Sequence, residues 1–485
     1  MTGRTRPLGR LTAGQVIVVG GDRVLEVDEE LAAAFVEGDR LLVADESLVH
    51  VRADDIRAAD RAVSAASNAF TGLEHCSDEE ITGFFVAAAA RLRDPGVRSA
   101  LTAVNQADVD KAAARGRSTS RLRLDDRMIA DMAEGLTMWA GAPADRGGVL
   151  DTVEHGSWRI ETRRAPLGVV GFVFEGRPNV VVDAAGVLRT GNTAVLRIGS
   201  DALDTARAIL ESVLEPALVE SGLPSGAVGL VDASSHGAGY ALFSDQRLSL
   251  AVARGSGRAV ADLGAVARSS GVPVSLHGTG GAWMLVADDV RRDRLSAVVE
   301  HSLDRKVCNT LNVCCVPRAA AEELIPLVAE ALARAGRAHA GATVHLTDTG
   351  RPYWPETEGV EVAEIEIDQL GVEWEWDDRP EITVHVVDDL DESIGLCNRH
   401  SPHFVVSVLT EDPDVVERVY GSVDAPFVGD GFTRWVDGQY ALRAPELGLS
   451  NWENGRLLGR SAILSGSSVH TVRHLARFDD HDVRR

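Results

Sequence analysis

The chain has 485 residues and a formal charge of 49 − 73 = −24, an acidic balance that argues against a nucleic-acid face or a polybasic membrane surface. Its hydrophobic fraction of 45% and its length predict two or three domains with ordinary cores, needing no disulfide or metal staple. The five cysteines (Cys76, Cys308, Cys314, Cys315, Cys397) show no CxxC spacing, and no His/Cys cluster has zinc geometry, so no metal site is expected. The basic MTGRTRPLGR is followed by QVIVVGGDRV rather than by an apolar core with a cleavage site. No apolar run approaches the ~20 residues of a membrane span. The sequence reads as a soluble, reduced, cytoplasmic protein.

The first fifty residues read as short strands in QVIVV, RVLEV and RLLVA, separated by GGD and EGDR turns, with a small helix at Glu29 to Val36. Near residue 53 the pattern changes. Ile56, Ala59, Val63, Ala66 and Phe70 recur in steps of three and four, and helical patterns run to about Met138. This places a β-rich appendage over 1–53 and the main body after it. At Ser157 to Arg163, Trp158, Ile160 and Thr162 alternate with Arg159, Glu161 and Arg163, which predicts a hairpin. Such a hairpin either decorates the surface or extends to pair with another subunit.

From Leu167 to Leu276 strands and helices alternate. LGVVGFVF, TAVLRI, AVGLVDA, LSLAVAR and VPVSL are strands; the segments 179–189, 201–220 and 257–269 read as helical or intervening stretches. That order predicts right-handed crossovers and a parallel, doubly wound sheet whose ligands lie at the carboxyl ends of its strands. Those ends carry Glu175 to Asn179, Arg197 to Ser200 and Arg254 to Gly257, each with an arginine beside small or capping residues. The arrangement suits a phosphate-bearing ligand held by arginine and helix N-terminal amides, although Gly255 and Gly257 alone fit a simple turn equally well. A second half from about Asp289 mixes helices at 291–304 and 319–335 with strands in EITVHVV and HFVVSVL. An acidic insertion, GVEWEWDD, lies between them, and the tail SSVHTVRHLARF returns to strand periodicity.

Cys308 stands in Arg305-Lys306-Val307-Cys308-Asn309, where two cations precede it and can favour a thiolate. The alternative is a buried structural cysteine, as Cys314 and Cys315 in NVCCV are read to be. No Ser-His-Asp set competes with it.

The segment APLGVVGFVFEGRPNVVVDAAGVLRTGNTAVLRIGSDAL, Ala165 to Leu203, resembles the signature of gamma-glutamyl phosphate reductases, a branch of the aldehyde dehydrogenase superfamily. Further matches follow in order: VCNTL at Val307, VVDDLDESI, TRWVDG at Thr433 and PELGLS at Pro445, with VNQADVDKAAARG and RLRLDDRMIADMAEGL upstream. The resemblance covers about residues 54 to 485. It implies an aldehyde dehydrogenase-like α/β fold: a Rossmann-type cofactor domain (54–285, with an oligomerisation hairpin at 146–166), a catalytic domain (286–420), and a segment 421–485 returning to the body and to a β oligomerisation arm. It further implies Cys308 as a nucleophile forming a thioacyl-enzyme, with Asn179 and the Cys308 amide at the oxyanion. Arg197, Gly199, Ser200, Arg254, Gly255, Gly257 and Glu375 become cofactor residues, and Arg197 with Ser200 favours NADP (NADPH), NAD remaining possible. Arg177, Asn309, His403 and Arg434 become substrate-binding candidates, and no metal is implied. The expected partners are a small acyl phosphate or thioester, further copies of the chain (dimer or tetramer), and an upstream kinase or carrier protein.

Where hydrolytic relatives carry the glutamate of an ELGG motif, this chain has Val274-Ser-Leu-His-Gly-Thr-Gly280 with no carboxylate. That leans towards reduction of an activated acyl group, or its phosphorolytic reverse, over hydrolysis. Other departures change side-chain character. Asn312 replaces a family glutamate, Ala282-Trp283 a cysteine-histidine pair, and Phe404-Val405 follow His403 in place of polar residues. His301 stands for a lysine and Arg305-Lys306 for a Pro-Gly pair. The leading expectation is an NADP(H)-dependent acyl phosphate reductase acting on gamma-glutamyl phosphate or a related substrate. The alternatives are an acylating enzyme using a coenzyme A or carrier-protein thioester, and a catalytically silent homologue acting as a binding module.

Overall fold

A computed structural model of the chain describes residues 8–480 and 482, apart from 20, 45–46, 118, 120–121, 144, 175, 437–440, 443–445, 450–462 and 466–467. Two compact units emerge: residues 1–277, 444–449 and 463–485 form unit one, and 278–443 with 450–462 form unit two.

Unit one begins with two antiparallel hairpins, β1 (Val16–Val19) with β2 (Arg23–Glu26) and β3 (Arg40–Ala44) with β4 (Ser47–Val51), separated by α1 (Glu29–Ala34). The sequence reading missed β4, whose SLVHV alternates only weakly. Residues 1–53 cluster with unit one. Val51 is buried among Ala58, Ala59 and Val63 of the first long helix, α2 (Ala53–Leu73). Three further helices follow: α3 (Asp78–Arg93), α4 (Pro95–Ala114) and α5 (Asp126–Gly141). Their starts are encoded locally. Ser77 and Glu80 form a reciprocal capping box on α3, and Asp94 caps α4 ahead of Pro95 at a position that needs no N–H.

Strands β5 (Val149–Glu154) and β6 (Trp158–Pro166) make the expected hairpin. The parallel sheet comprises β7 (Val169–Phe174), β8 (Thr193–Ile198), β9 (Val228–Leu230), β10 (Leu248–Arg254) and β11 (Val274–His277), in the order β11-β10-β7-β8-β9. All six residues of β7 and of β8 are buried because helices cover both faces. Along β7, Val170, Phe172 and Phe174 enter one core with α3 and α5, while Val169 and Val173 enter another with α2. The helix expected at 179–189 is α6 (Val180–Ala185) followed by a 3-10 turn to Thr190. The helix expected at 201–220 is α7 (Leu203–Ile209), a π turn at 210–214 and α8 (Glu215–Glu220), since Pro216 has no N–H to continue the ladder. The remaining helices of this sheet are α9 (Gly237–Phe243), which periodicity missed, and α10 (Gly257–Ser269).

Unit two holds a seven-stranded parallel sheet, of which the sequence reading caught two strands. Its members are β12 (Ala282–Val286), β13 (Leu311–Pro317), β14 (Ala342–Leu346), β15 (Val360–Glu364), β16 (Glu381–Val387), β17 (Val405–Leu409) and β18 (Phe427–Gly429), ordered β15-β14-β16-β13-β12-β17-β18. Helices α11 (Arg292–His301), α12 (Ala321–Arg337), α13 (Leu390–His400) and α14 (Pro413–Ser422) complete it. Here too the strands alternate between cores, with Met284 and Cys314 on one face and Trp283 and Cys315 on the other. The chain then returns to unit one as a hairpin of β19 (Glu446–Leu449) and β20 (Ile463–Ser465), and as β21 (His470–Phe478). β21 pairs with β6 along its whole length, giving a three-stranded sheet β21-β6-β5.

Candidate active site

Unit one presents the strand ends anticipated from sequence. Arg197 occupies the penultimate position of β8, in register with Val173 of β7. Its side chain is buried: one guanidinium nitrogen donates to the Ser235 carbonyl at 2.8 Å, while Nε is buried with no hydrogen-bond partner. Desolvation lowers its pKa, partly offset by Asp55 and Tyr240. Gly199 and Ser200 follow directly, half-buried. Arg254 ends β10 level with Phe174 and His277, and its Nη2 donates to Glu446 of β19 at 2.7 Å. Gly255, whose N–H donates to the His277 carbonyl at 3.2 Å, Ser256 and Gly257 lead from there into α10, a 13-residue helix that starts beside this strand end. A buried, unsatisfied arginine N–H together with a Gly-Ser-Gly helix entry fits a dinucleotide's ribose and phosphates. Arg177 and Asn179 follow β7, both half-buried; Asn179 Nδ2 lies 3.5 Å from Asp183. Glu175, between them and the strand, is outside the described residues, as are parts of the TRWVDG and PELGLS motifs.

Unit two holds Cys308, half-buried in the turn that leads into β13. Thr310 folds this turn: its Oγ1 donates to the Arg305 carbonyl at 2.7 Å and accepts from the Val307 N–H at 2.9 Å. The segment entering β12 lies against it, with the Gly281 N–H donating to the Cys308 carbonyl at 2.7 Å. A Cβ on Gly280 would stand 2.6 Å from the Cys308 Cα, so this contact admits glycine alone. Asn309 is buried; its Nδ2 donates to the Val436 carbonyl at 2.8 Å, and its Oδ1 accepts from Arg434. Arg434 Nε also donates to Asp304 at 2.7 Å. The structure thus brings Asn309 and Arg434 together as a brace on the cysteine turn.

The cations expected to tune Cys308 are placed unequally. Arg305 is exposed, whereas Lys306 is nearly buried and its Nζ lies 2.6 Å from Glu373 Oε1. The second oxygen of Glu373 accepts from the Gly280 N–H at 2.6 Å. Sequence reasoning missed Glu373 and chose Glu375, which is exposed on the same segment. The two carboxylates lie two residues apart in GVEWEWDD, Glu373 half-buried and Glu375 exposed. Buried cysteines elsewhere are poor nucleophiles: burial pushes the Cys314 and Cys397 thiols up to about 12 and Cys315 further in the same direction.

The aldehyde dehydrogenase family matches residues 43–346. A gamma-glutamyl phosphate reductase of Rhodopirellula baltica is 30% identical over 360 residues, covering 72% of this chain and 79% of that protein. The chain belongs to the aldehyde dehydrogenase family. Among solved structures, a gamma-glutamyl phosphate reductase of Thermotoga maritima superposes with a TM-score of 0.76 at 24% identity, covering 88% of this chain and all of that one. An acetylating aldehyde dehydrogenase of Geobacillus thermoglucosidasius superposes with a TM-score of 0.64 at 13% identity, covering 89% and 98%. The aldehyde dehydrogenase family performs oxidoreduction of aldehyde groups with NAD(P).

Within this family framework the departures take on a different weight. Trp283, Phe404 and Val405 are buried in the core of unit two, with Phe404 edge-on to Phe427 at 5.4 Å. They are packing residues, and the replacement of polar family residues there is a change of core. His403, just before them, adopts φ 51° and its Nδ1 lies 3.0 Å from the Asp424 carbonyl. Among the described residues no cluster could hold a metal ion, and no helix is long and apolar enough to cross a membrane.

Proposed function

We propose that this protein is an NADPH-dependent reductase of an acyl phosphate, with Cys308 as the nucleophile and gamma-glutamyl phosphate or a related compound as substrate. The observation that carries the reading is the cysteine turn itself. A half-buried thiol sits against glycine backbone, and the carboxylate reaching that backbone, Glu373, has one oxygen on Lys306 and the other on Gly280. A carboxylate so engaged is a poor base for activating water, so a thioacyl group on Cys308 persists for a second step. The resemblance to reductases acting on gamma-glutamyl phosphate supplies the acyl donor.

The Cys308 thiolate attacks the acyl carbon, and the C–O bond to phosphate breaks. A nicotinamide cofactor, when bound, would supply the hydride that reduces that carbon. The C–S bond then breaks, returning the electron pair to sulfur and releasing an aldehyde. Asn179 serves the developing oxyanion, as the family resemblance implies. Arg197, Gly199 and Ser200 would hold the adenosine ribose, and the Gly257 amide with the α10 entry would hold phosphate, the Gly255 N–H being donated to the His277 carbonyl at 3.2 Å and Arg254 being turned towards Glu446. The preference for NADPH rests on Arg197 and Ser200, and Arg177 binds the substrate's phosphate. The substrate is made by a kinase acting on a carboxylate. The β21-β6-β5 sheet, with β5 fully exposed, joins copies of the chain.

The test is NADPH oxidation, followed by absorbance, with gamma-glutamyl phosphate generated in situ by a kinase. Oxidation that falls about 10³-fold or more in Cys308→Ala supports the reading. Oxidation with a coenzyme A thioester and none with acyl phosphates overturns the donor assignment.

A further inference from the structure

The pair Lys306 and Glu373 lies directly beside the cysteine turn, and neither residue exchanges a proton or bond with substrate in the steps above. Lys306 precedes Cys308 by two residues; its side chain is 4% exposed and that of Glu373 is 14% exposed. A salt bridge this sheltered is weak evidence of stabilisation, because desolving both ions offsets much of their attraction. Its neighbours show where it is directed. Glu373 grips the Gly280 N–H, and Gly280 touches the Cys308 backbone closely enough that a Cβ would stand 2.9 Å from the Cys308 Cβ.

The segment carrying Glu373 is itself fixed. Asn312 Nδ2 donates to the Val372 carbonyl at 2.8 Å, and its Oδ1 accepts from the Trp374 N–H at 3.0 Å. The Trp374 ring stacks on His345 with centroids 3.5 Å apart, and its Nε1 donates to Thr383 at 2.9 Å. Asn312 replaces a family glutamate and Lys306 a family glycine, so this assembly belongs to the residues that set this chain apart.

We propose that Lys306 and Glu373 form a charge-compensated clasp that positions the Cys308 turn and sets the proton affinity of its thiol. Lys306 draws the thiol towards the thiolate, and Glu373 opposes it. Charged or titratable groups on the turn and the neighbouring segments also include exposed Arg305 and Glu375, Asp304, buried His277, and Arg434, which is engaged by Asp304 and Asn309. His301 is exposed at the end of α11, and the Gly278–Gly281 segment carries no charge. Lys306 and Glu373 are thus a sheltered pair of opposite charges whose contacts reach the turn through its own backbone and Gly280.

This inference rests on Cys308 as the nucleophile and is tested separately from it. The rate of iodoacetamide alkylation at Cys308 is measured against pH by peptide mass spectrometry, with half-buried Cys76 as internal control. Glu373→Gln keeps an acceptor for Gly280 and leaves Lys306 uncompensated. Its profile moves to lower pH, with alkylation at pH 7 on the order of threefold faster. Lys306→Met moves the profile to higher pH by a similar factor, and the double variant returns close to the parent. Opposite shifts that cancel are not produced by loosening alone, and circular dichroism of each variant confirms that the fold persists. Profiles that move together, or do not move, overturn the clasp. If parent Cys308 reacts no faster than Cys76, the nucleophile assignment fails, while the opposite shifts remain readable and still decide the clasp.

Discussion

The strand ends of unit one and the cysteine turn of unit two are built by different means. In unit one, Arg197 to Ser200 and Arg254 to Gly257 each lie within a few residues of a buried strand, and strand-turn-helix order alone brings them to one end of the sheet. In unit two, the turn around Cys308 is held by partners distant in sequence: 93 residues separate Gly280 from Glu373, 67 separate Lys306 from Glu373, and 127 separate Asn309 from Val436. Local grammar is enough to find the first kind of site. The second kind is assembled only when the sheet is.

That contrast predicts that the smallest change at the distant contact has the largest effect. Gly280→Ala adds one methyl group, placed 2.6 Å from the Cys308 Cα and 2.7 Å from its carbonyl oxygen. Backbone has to shift to admit it, and a displacement of roughly 1 Å at a nucleophile costs about 10²-fold in rate. The expected outcome is a loss of that order in kcat/KM for NADPH oxidation with NADPH binding retained. An active Gly280→Ala enzyme would show that the tight contact is irrelevant to the chemistry.

The corresponding change in unit one is milder. Arg197→Gln removes a buried guanidinium whose Nε has no partner and whose other nitrogen reaches Ser235. If the adenosine end of the cofactor supplies the missing acceptor, KM for NADPH rises about tenfold, kcat changes little, and KM for NADH rises less. Equal rises for both cofactors would remove the 2′-phosphate from the account. A fall in kcat alone would remove the residue from cofactor binding.

These differences also explain what was legible. The five strands of the parallel sheet in unit one were readable because each is a short apolar run between turn residues, as in TAVLRI between Asn192 and Gly199. In unit two EITVHVV was found, whereas LNVCCVP was read only as an apolar run around two cysteines, though all seven of its residues are buried in a central strand. Cys308 stood out through the two cations that precede it, and the family motif then marked it as the nucleophile. Lys306 looked like a bare cation because its acidic partner is 67 residues away. Trp283 and Phe404 stood out only as bulky replacements of polar family residues, because sequence does not reveal that both are buried in a core. Asn309 and Arg434 were paired by the fold, 125 residues apart, where motif reading had them as independent ligand contacts.

The smallest expected effect lies where the N-terminal fifty residues meet the body. Asp39 follows Gly38, whose φ of 97° turns the chain, and its side chain is buried. Its Oδ1 accepts from the Ala53 N–H at 2.8 Å, capping α2 where Arg52 makes no side-chain cap. Its Oδ2 accepts from the Val36 N–H at 3.0 Å and lies 2.7 Å from His50 Nε2. Burial alone would raise the carboxyl pKa, but the hydrogen bonds from His50, Val36 and Ala53 outweigh it and hold the group below its usual value. A depressed folded pKa contributes stability that is present above the unfolded carboxylate pKa and is lost as pH falls through the folded one. Asp39→Asn is expected to cost about 1–2 kcal/mol locally, read as roughly tenfold faster hydrogen exchange across β3 and β4 at neutral pH. The difference between parent and variant should shrink as pH drops below the depressed pKa. Catalytic rate should remain unchanged, because Asp39 joins the hairpin to α2 and touches neither the strand ends nor the cysteine turn. A gap that persists unchanged in acid would mean that the contact acts through shape rather than charge.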